Sequence, residues 1–210
     1  MKGAIFDIDG TLLESLYVWH RVDEIFLNRR GFEVPPDYSE AVTSLGFRKT
    51  AEYTIERFGL SETPEALMDE WRELAKHEYE YHVPMKKDAE AFLRHLKQNG
   101  VALAVCTALV PELYVPALRR HGVYDCFDVF ITADNSMAKS ESTVFLKTAK
   151  MLGCAPGECI VFEDTVSCVV SAKKAGMITC GVYDEPVKKN ETKMRELTDL
   201  YIRAYGEFDF

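Results

Sequence analysis

Gly3-Ala4-Ile5-Phe6-Asp7-Ile8-Asp9-Gly10-Thr11 is the stretch around which the rest of the chain reads as a scaffold. Its apolar first half suits a short buried parallel strand, and two carboxylates follow where that strand must end. Strand side chains alternate, so Asp7 and Asp9 lean toward one pocket while Ile8 turns back to the core. Gly10 permits a tight exit, and Thr11 supplies a hydroxyl to pin the loop. An acid pair at a strand end is costly without a partner cation, which weighs against the plainer reading of an Asp-Gly turn with a spare acid.

The chain has 210 residues, enough for a substantial core in one domain or one domain with a sizeable insertion. Its 47% hydrophobic and 28% charged content is that of an ordinary soluble protein. A net charge of -9 argues against a nucleic-acid backbone or an anionic membrane as the main partner, and an anionic substrate would need positive charge placed locally. No apolar run approaches the roughly 20 residues of a membrane span. Met1-Lys2-Gly3 enters a strand instead of a signal peptide, so a cytoplasmic location is expected. Cys106, Cys126, Cys154, Cys159, Cys168 and Cys180 lie within or beside apolar segments without a metal-binding or dithiol spacing, and are read as buried reduced thiols. His20, His77, His82, His95 and His121 offer no ligand spacing and are read as surface or helix residues.

Working outward, a helix is expected from about Ser15 to Arg30, with Leu16, Trp19, Val22 and Phe26 along one stripe and Gly31 ending it. Val34-Pro35-Pro36 breaks the chain. Further helices are expected over Ser39 to Ser44 and over Lys49 to Phe58, with Gly59 as a stop. Thr63-Pro64 is a cap followed by proline at the first helical position, opening a helix that ends before Val83-Pro84. Residues 14–82 thus read as all-helical. After Pro84 the pattern alternates helix and strand, with strands at 101–106, 129–131, 159–162 and 178–182 and a last helix over about Thr192 to Ala204. The expected architecture is a doubly wound, Rossmann-like α/β core (1–13 and 83–210) whose first strand is separated from the rest by a helical insertion (14–82).

Open parallel sheets place ligands beyond the carboxyl ends of their strands. Those ends carry Asp7 and Asp9, then Thr107, then Lys139 in a loop, then Glu163-Asp164. Each alone has a structural explanation: a Thr at a strand end, a solvated Lys, acids at the start of a helix. Every one is polar and follows an apolar run, and it is the combination that points to a site.

In order, Asp7-Ile8-Asp9-Gly10-Thr11, Thr107, Lys139 and Glu163-Asp164 resemble the motifs of the haloacid dehalogenase-like hydrolase superfamily. The helical insertion sits where its α-helical-cap subgroup carries a cap. Phe162-Glu163-Asp164-Thr165 and Ala172-Lys173-Lys174-Ala175-Gly176-Met177 are similar to the β-phosphoglucomutase and phosphoglycolate phosphatase branch. The resemblance implies a magnesium-dependent phosphatase acting on a small phosphorylated metabolite. It makes Asp7 the nucleophile that becomes an aspartyl-phosphate and Asp9 the acid and later base. It also assigns Mg²⁺ to the Asp7 carboxylate, the Asp9 carbonyl and Asp164, with Glu163 as an extra or supporting ligand. Lys139, the Thr107 hydroxyl and the Ala108 N–H would bind phosphoryl oxygens.

An acid at Asp9 separates the chain from family members that cleave carbon–halogen bonds or phosphonates. The β-phosphoglucomutase branch has a cap-helix histidine where counting from the first aspartate places Trp19, with His20 one residue late, a rotation of about 100° on a helix. Hydrolysis is therefore favoured over the alternative, a sugar phosphomutase. Leu45-Gly46-Phe47-Arg48-Lys49 resembles that branch's specificity loop, making Trp19, Arg48 and Lys49 candidates for substrate contact, against the plainer reading of cap core and solvated face. Lys139-Ser140 departs from the family's lysine-proline and removes a rigid residue from the loop. Two rivals are a receiver-like signalling module, which would lack the insertion, and a family member that binds phosphate without turnover.

Overall fold

The computed structural model describes residues 1–42, 45–133 and 138–208. It divides into two compact units, Met1–Leu16 with Val83–Phe210, and Tyr17–His82. The chain enters through β1 (Gly3–Phe6), every residue of which is buried. At the exit from this unit Leu13 bridges antiparallel to Met85 and Glu14 N donates to Pro84 O at 3.0 Å, so the departing and returning strands of the chain lie side by side.

The unit Tyr17–His82 holds α1 (Val18–Asn28), α2 (Tyr38–Val42), α3 (Phe47–Phe58) and α4 (Pro64–Tyr81), with no strand among its described residues. α4 starts as its sequence requires: the Thr63 hydroxyl accepts from Ala66 N at 3.3 Å, with Pro64 next. A chain of rings runs through the unit from the exposed Trp19 to the buried Phe26: Trp19 on Phe47 at 5.6 Å, Phe47 on Trp71 at 5.6 Å and Trp71 on Phe26 at 5.5 Å. α1 begins at Val18, three residues later than expected from Ser15, because Ser15 still belongs to the first unit, where its hydroxyl is bonded to Asp9. α2 covers Tyr38–Val42 in place of 39–44, and Thr43 and Ser44 lie outside the described residues. α3 starts at Phe47 instead of Lys49, which puts Arg48 and Lys49 in its first turn.

The second unit continues with α5 (Ala89–Gln98), β2 (Ala102–Thr107), α6 (Pro111–Arg120), β3 (Val129–Thr132), α7 (Ser142–Met151), β4 (Cys159–Glu163), α8 (Val166–Lys174), β5 (Ile178–Val182), α9 (Glu191–Leu197) and β6 (Leu200–Ile202). The strands form one parallel sheet in the order β3-β2-β1-β4-β5-β6, the doubly wound arrangement expected from the alternation. Alternation divides its buried side chains. Ile5, Ala104, Cys106 and Val161 pack with Val144, Phe145 and Ala172 of α7 and α8, whereas Phe6 stacks on Phe162 at 4.6 Å and meets Phe92 of α5 at 6.3 Å.

One element differs in kind from expectation. The helix expected over 192–204 stops at Leu197, and Leu200–Ile202 is a sixth strand paired with Cys180 to Val182. The spacing of Leu197, Leu200, Tyr201 and Ala204 mimics a helical stripe. What ends the helix is Asp199, whose carboxylate accepts from Thr179 N and Thr179 Oγ1, both at 2.8 Å, and so binds the chain to the edge of β5.

Candidate active site

β1 lies between β2 and β4, where the strand order reverses, and register carries the site's residues to one edge. Phe6 pairs with Val105 and Phe162, so Asp7, Thr107 and Glu163 all emerge at the carboxyl ends of three adjacent strands. Asp7 N donates to Phe162 O at 3.2 Å, which fixes Asp7 beside Glu163. Ile8 is fully buried, as alternation requires.

Three carboxylates converge here. Asp7, Glu163 and Asp164 each present an oxygen within 4.8 Å of the others, and all three residues are at least nine-tenths buried. Lys139 reaches into them, with Nζ 2.6 Å from Asp7 Oδ1 and 2.8 Å from Glu163 Oε1. Glu163 Oε2 accepts from Asp164 N at 2.9 Å, and the Thr11 and Thr165 hydroxyls each donate to Asp164 Oδ1 at 3.3 Å. Gly10, at φ 72°, lets the loop pass so close that an added Cβ would meet Asp164 Oδ2 at 2.5 Å.

The electrostatics follow from that crowding. Burial, then repulsion from Glu163, pushes the Asp7 carboxyl up to about 7. Burial and the same neighbour push Asp164 well up. Burial would raise Glu163 too, but the Lys139 ammonium outweighs it and holds that carboxyl below its ordinary range. Lys139 is in turn held well above the usual lysine value by Asp7 and Glu163, against the effect of burial. One ammonium facing three carboxylates leaves two negative charges in excess when all are ionised. A hard divalent cation with oxygen ligands fits that donor set and that charge.

The remaining expected residues are placed as follows. The Asp9 carboxylate is not one of the clustered trio; it accepts from Ser15 Oγ at 2.6 Å, and its charge adds to the upward push on Asp7. Ser15 is buried, and nothing in its sequence context marked it as the residue that orients Asp9. Thr107 is buried with its hydroxyl accepting from Leu109 N at 3.1 Å, and Ala108 beside it is exposed. Ser140, in place of a loop proline, is tied down by its carbonyl, which accepts from Ser171 Oγ of α8 at 2.6 Å. Trp19, Arg48 and Lys49 belong to the other unit. Trp19 is 41% exposed; Arg48 is paired with Glu52 at 3.2 Å and Glu65 at 2.6 Å; Lys49 is exposed. A buried pair that sequence reading missed joins Lys86 to Asp184 beyond β5, with Lys86 Nζ also 3.0 Å from Tyr183 O.

The model of the haloacid dehalogenase-like hydrolases matches residues 4–182. The chain belongs to this family. Among haloacid dehalogenase-like relatives, YhcW of Bacillus subtilis (strain 168) is 30% identical over 213 residues, covering 100% of this chain and 94% of its own. Hexitol phosphatase A of Escherichia coli (strain K12) is 30% identical over 180 residues, covering 83% of this chain and 80% of its own. The crystal structure of β-phosphoglucomutase from Clostridium difficile superposes with a TM-score of 0.71 at 18% identity, covering 100% of this chain and 94% of that one, which is a likeness of fold. As a haloacid dehalogenase-like hydrolase the chain is an enzyme, and no described helix is long and apolar enough to cross a membrane.

Proposed function

We propose that this protein is a magnesium-dependent phosphatase that hydrolyses a small phosphomonoester through an aspartyl-phosphate on Asp7. The observation that carries the reading is the buried ion pair of Lys139 with Asp7, set among carboxylates whose charge one ammonium does not balance. Lys139 holds Asp7 Oδ1, which leaves Oδ2 to attack phosphorus and orients it. Asp9, fixed by Ser15, protonates the leaving oxygen and then takes a proton from the water that attacks the acyl phosphate. One carboxyl group serves both steps because the second reverses the first. Lys139, Thr107 and the Ala108 N–H bind the transferring phosphoryl oxygens in a water-poor site, where charge-assisted hydrogen bonds contribute roughly 1.5–3 kcal/mol each.

Asp7, the Asp9 carbonyl and Asp164 would hold Mg²⁺, with Glu163 supporting them through Lys139 and the Asp164 N–H. When bound, the cation offsets the excess negative charge and acts as a Lewis acid toward the phosphoryl group. Hydrolysis is favoured over phosphomutation because no histidine occupies the cap-helix position: Trp19 packs on Phe47, and the His20 ring lies 3.4 Å from Glu24 on an exposed face. The hexitol phosphatase relative directs the substrate search to phosphorylated polyols and sugars. The test is phosphate release from p-nitrophenyl phosphate and a panel of hexose and hexitol phosphates with magnesium. Turnover absent from Asp7→Asn and Asp9→Asn supports the proposal; no ester turned over above those controls refutes it.

A further inference from the structure

The helical unit carries a second cluster of metal-ligating side chains, separate from the acid trio. His77, Glu78 and His82 each place one ligand atom within 4.8 Å of the other two. Glu78 and His82 are four apart, a helical neighbour spacing, but His77 is one and five residues from them and would not share their face on a continuous helix. The backbone makes the difference. α4 ends at Tyr81, and His82, at φ -120° and ψ -38°, leaves the helix and swings its ring to 5.2 Å from that of His77.

Glu78 is the feature that asks for a ligand. The residue is only 8% exposed, it forms no ion pair with a described residue, and a carboxylate oxygen lies within 4.8 Å of a ring nitrogen of each of the two histidines. Its stem is thus fixed by packing in α4, which holds one anionic oxygen ligand in place between two imidazoles. The cluster also lies at the carboxyl end of an 18-residue helix, whose unsatisfied carbonyls favour a cation.

We propose that His77, Glu78 and His82 bind a borderline divalent ion of the zinc class. Two imidazoles and one carboxylate are a zinc donor set, whereas magnesium prefers the all-oxygen trio around Asp7. Bonds of about 2.0–2.2 Å need tetrahedral ligand atoms roughly 3.3–3.6 Å apart, so rotation of the two exposed histidines about the buried Glu78 residue closes the site. Three protein ligands leave a fourth position for water. The bound ion fastens the last turn of α4 to His82, the final residue of the helical unit before the chain re-enters the α/β unit at Val83.

The experiment uses the whole chain, stripped with EDTA and returned to excess magnesium so that the oxygen site is supplied, then titrated calorimetrically with zinc chloride. The expected result is one saturable equivalent of zinc, weakened at least about tenfold in His77→Ala and in His82→Ala, and kept in Asp164→Asn. Cobalt in place of zinc should give the strong visible absorption of a four-coordinate site, lost in the same histidine variants. Both histidines are exposed, and unchanged zinc-free thermal melts of their variants would establish that the fold is kept. A full equivalent retained by the His77→Ala, His82→Ala double variant would place the ion on thiols or acids elsewhere and overturn the proposal. Absence of any saturable equivalent, an adventitious ion only, overturns it as well. Neither result depends on phosphatase activity.

Discussion

Replacing Gly10 by alanine tests whether the acid cluster depends on a close approach of backbone to carboxylate. Two costs separate here. The first is conformational: an L-residue at φ 72° costs about 1–2 kcal/mol. The second is local. The new Cβ would lie 2.5 Å from Asp164 Oδ2, and since real contacts begin at 3.0 Å, the carboxylate must withdraw by about 0.5 Å. Thr11 and Thr165 hold the other oxygen of the same carboxylate, Oδ1, so withdrawal also strains two hydrogen bonds. Gly153→Ala is the matched control, because φ there is 70° and nothing lies within 4 Å of the added atom. Both variants should lose roughly 2–8 °C in thermal midpoint. Only Gly10→Ala should lose activity, by about ten- to a hundredfold in kcat/KM, given that misplacing reacting groups by about 1 Å costs on the order of a hundredfold. Its magnesium requirement should rise too. The assay is p-nitrophenyl phosphate hydrolysis across a magnesium titration; a Gly10→Ala enzyme within about threefold of Gly153→Ala at every magnesium level would refute the reasoning.

Asp184→Ala should destabilise the fold by about 3–5 kcal/mol in urea titration, because it strands the buried Lys86 ammonium, and pairing it with Lys86→Met should recover most of that loss; a single variant that unfolds with the parent's midpoint contradicts this. Asp23, half-buried in α1, has its carboxyl pushed up to about 7 by burial. The folded chain therefore holds this proton to higher pH than the unfolded chain does, so the contribution of Asp23 to stability falls as pH rises from about 4 to about 7 and is flat above that. Asp23→Asn should melt with the parent near pH 4 and above it at pH 8, and a difference independent of pH would count against the assignment. His20→Ala should keep hydrolytic turnover within about twofold, as expected for an exposed residue, whereas a mutase-like role in acid catalysis would cost about a hundredfold or more. Chelation with EDTA should abolish turnover and added magnesium should restore it; activity that survives chelation would exclude the proposed cation.

Much of this was legible in the sequence because it is written in local patterns. The alternation of Gly3 to Asp9 announces a buried strand ending in acids, and Thr63-Pro64 announces a helix start; neither needs a distant partner to be read. The same locality explains the errors. Leu197, Leu200 and Tyr201 keep helical spacing, and only the bonds of Asp199 to Thr179, twenty residues away, turn them into a strand. Ser15 as the partner of Asp9, the tether of Ser140 by Ser171 and the pairing of Lys86 with Asp184 are likewise contacts between segments, invisible to periodicity.

The acid cluster itself shows why polar residues at strand ends are easier to recognise than to assign. Asp7 and Glu163 are forced together by sheet register, a consequence of backbone hydrogen bonding that any sequence with these strands would share. Their chemical difference comes from neighbours that the register does not specify. Lys139 touches both, yet Asp7 is pushed up to about 7 while Glu163 is held low. Glu163 has the Lys139 ammonium and the Asp164 N–H, whereas Asp7 must share that ammonium while facing a carboxylate that has already claimed it. Two acids at equivalent strand ends thereby take unequal roles, one a fixed anion that anchors the lysine, the other a group whose charge depends on what binds beside it. The second matches the nucleophile proposed above, and that asymmetry follows from packing around a sheet edge.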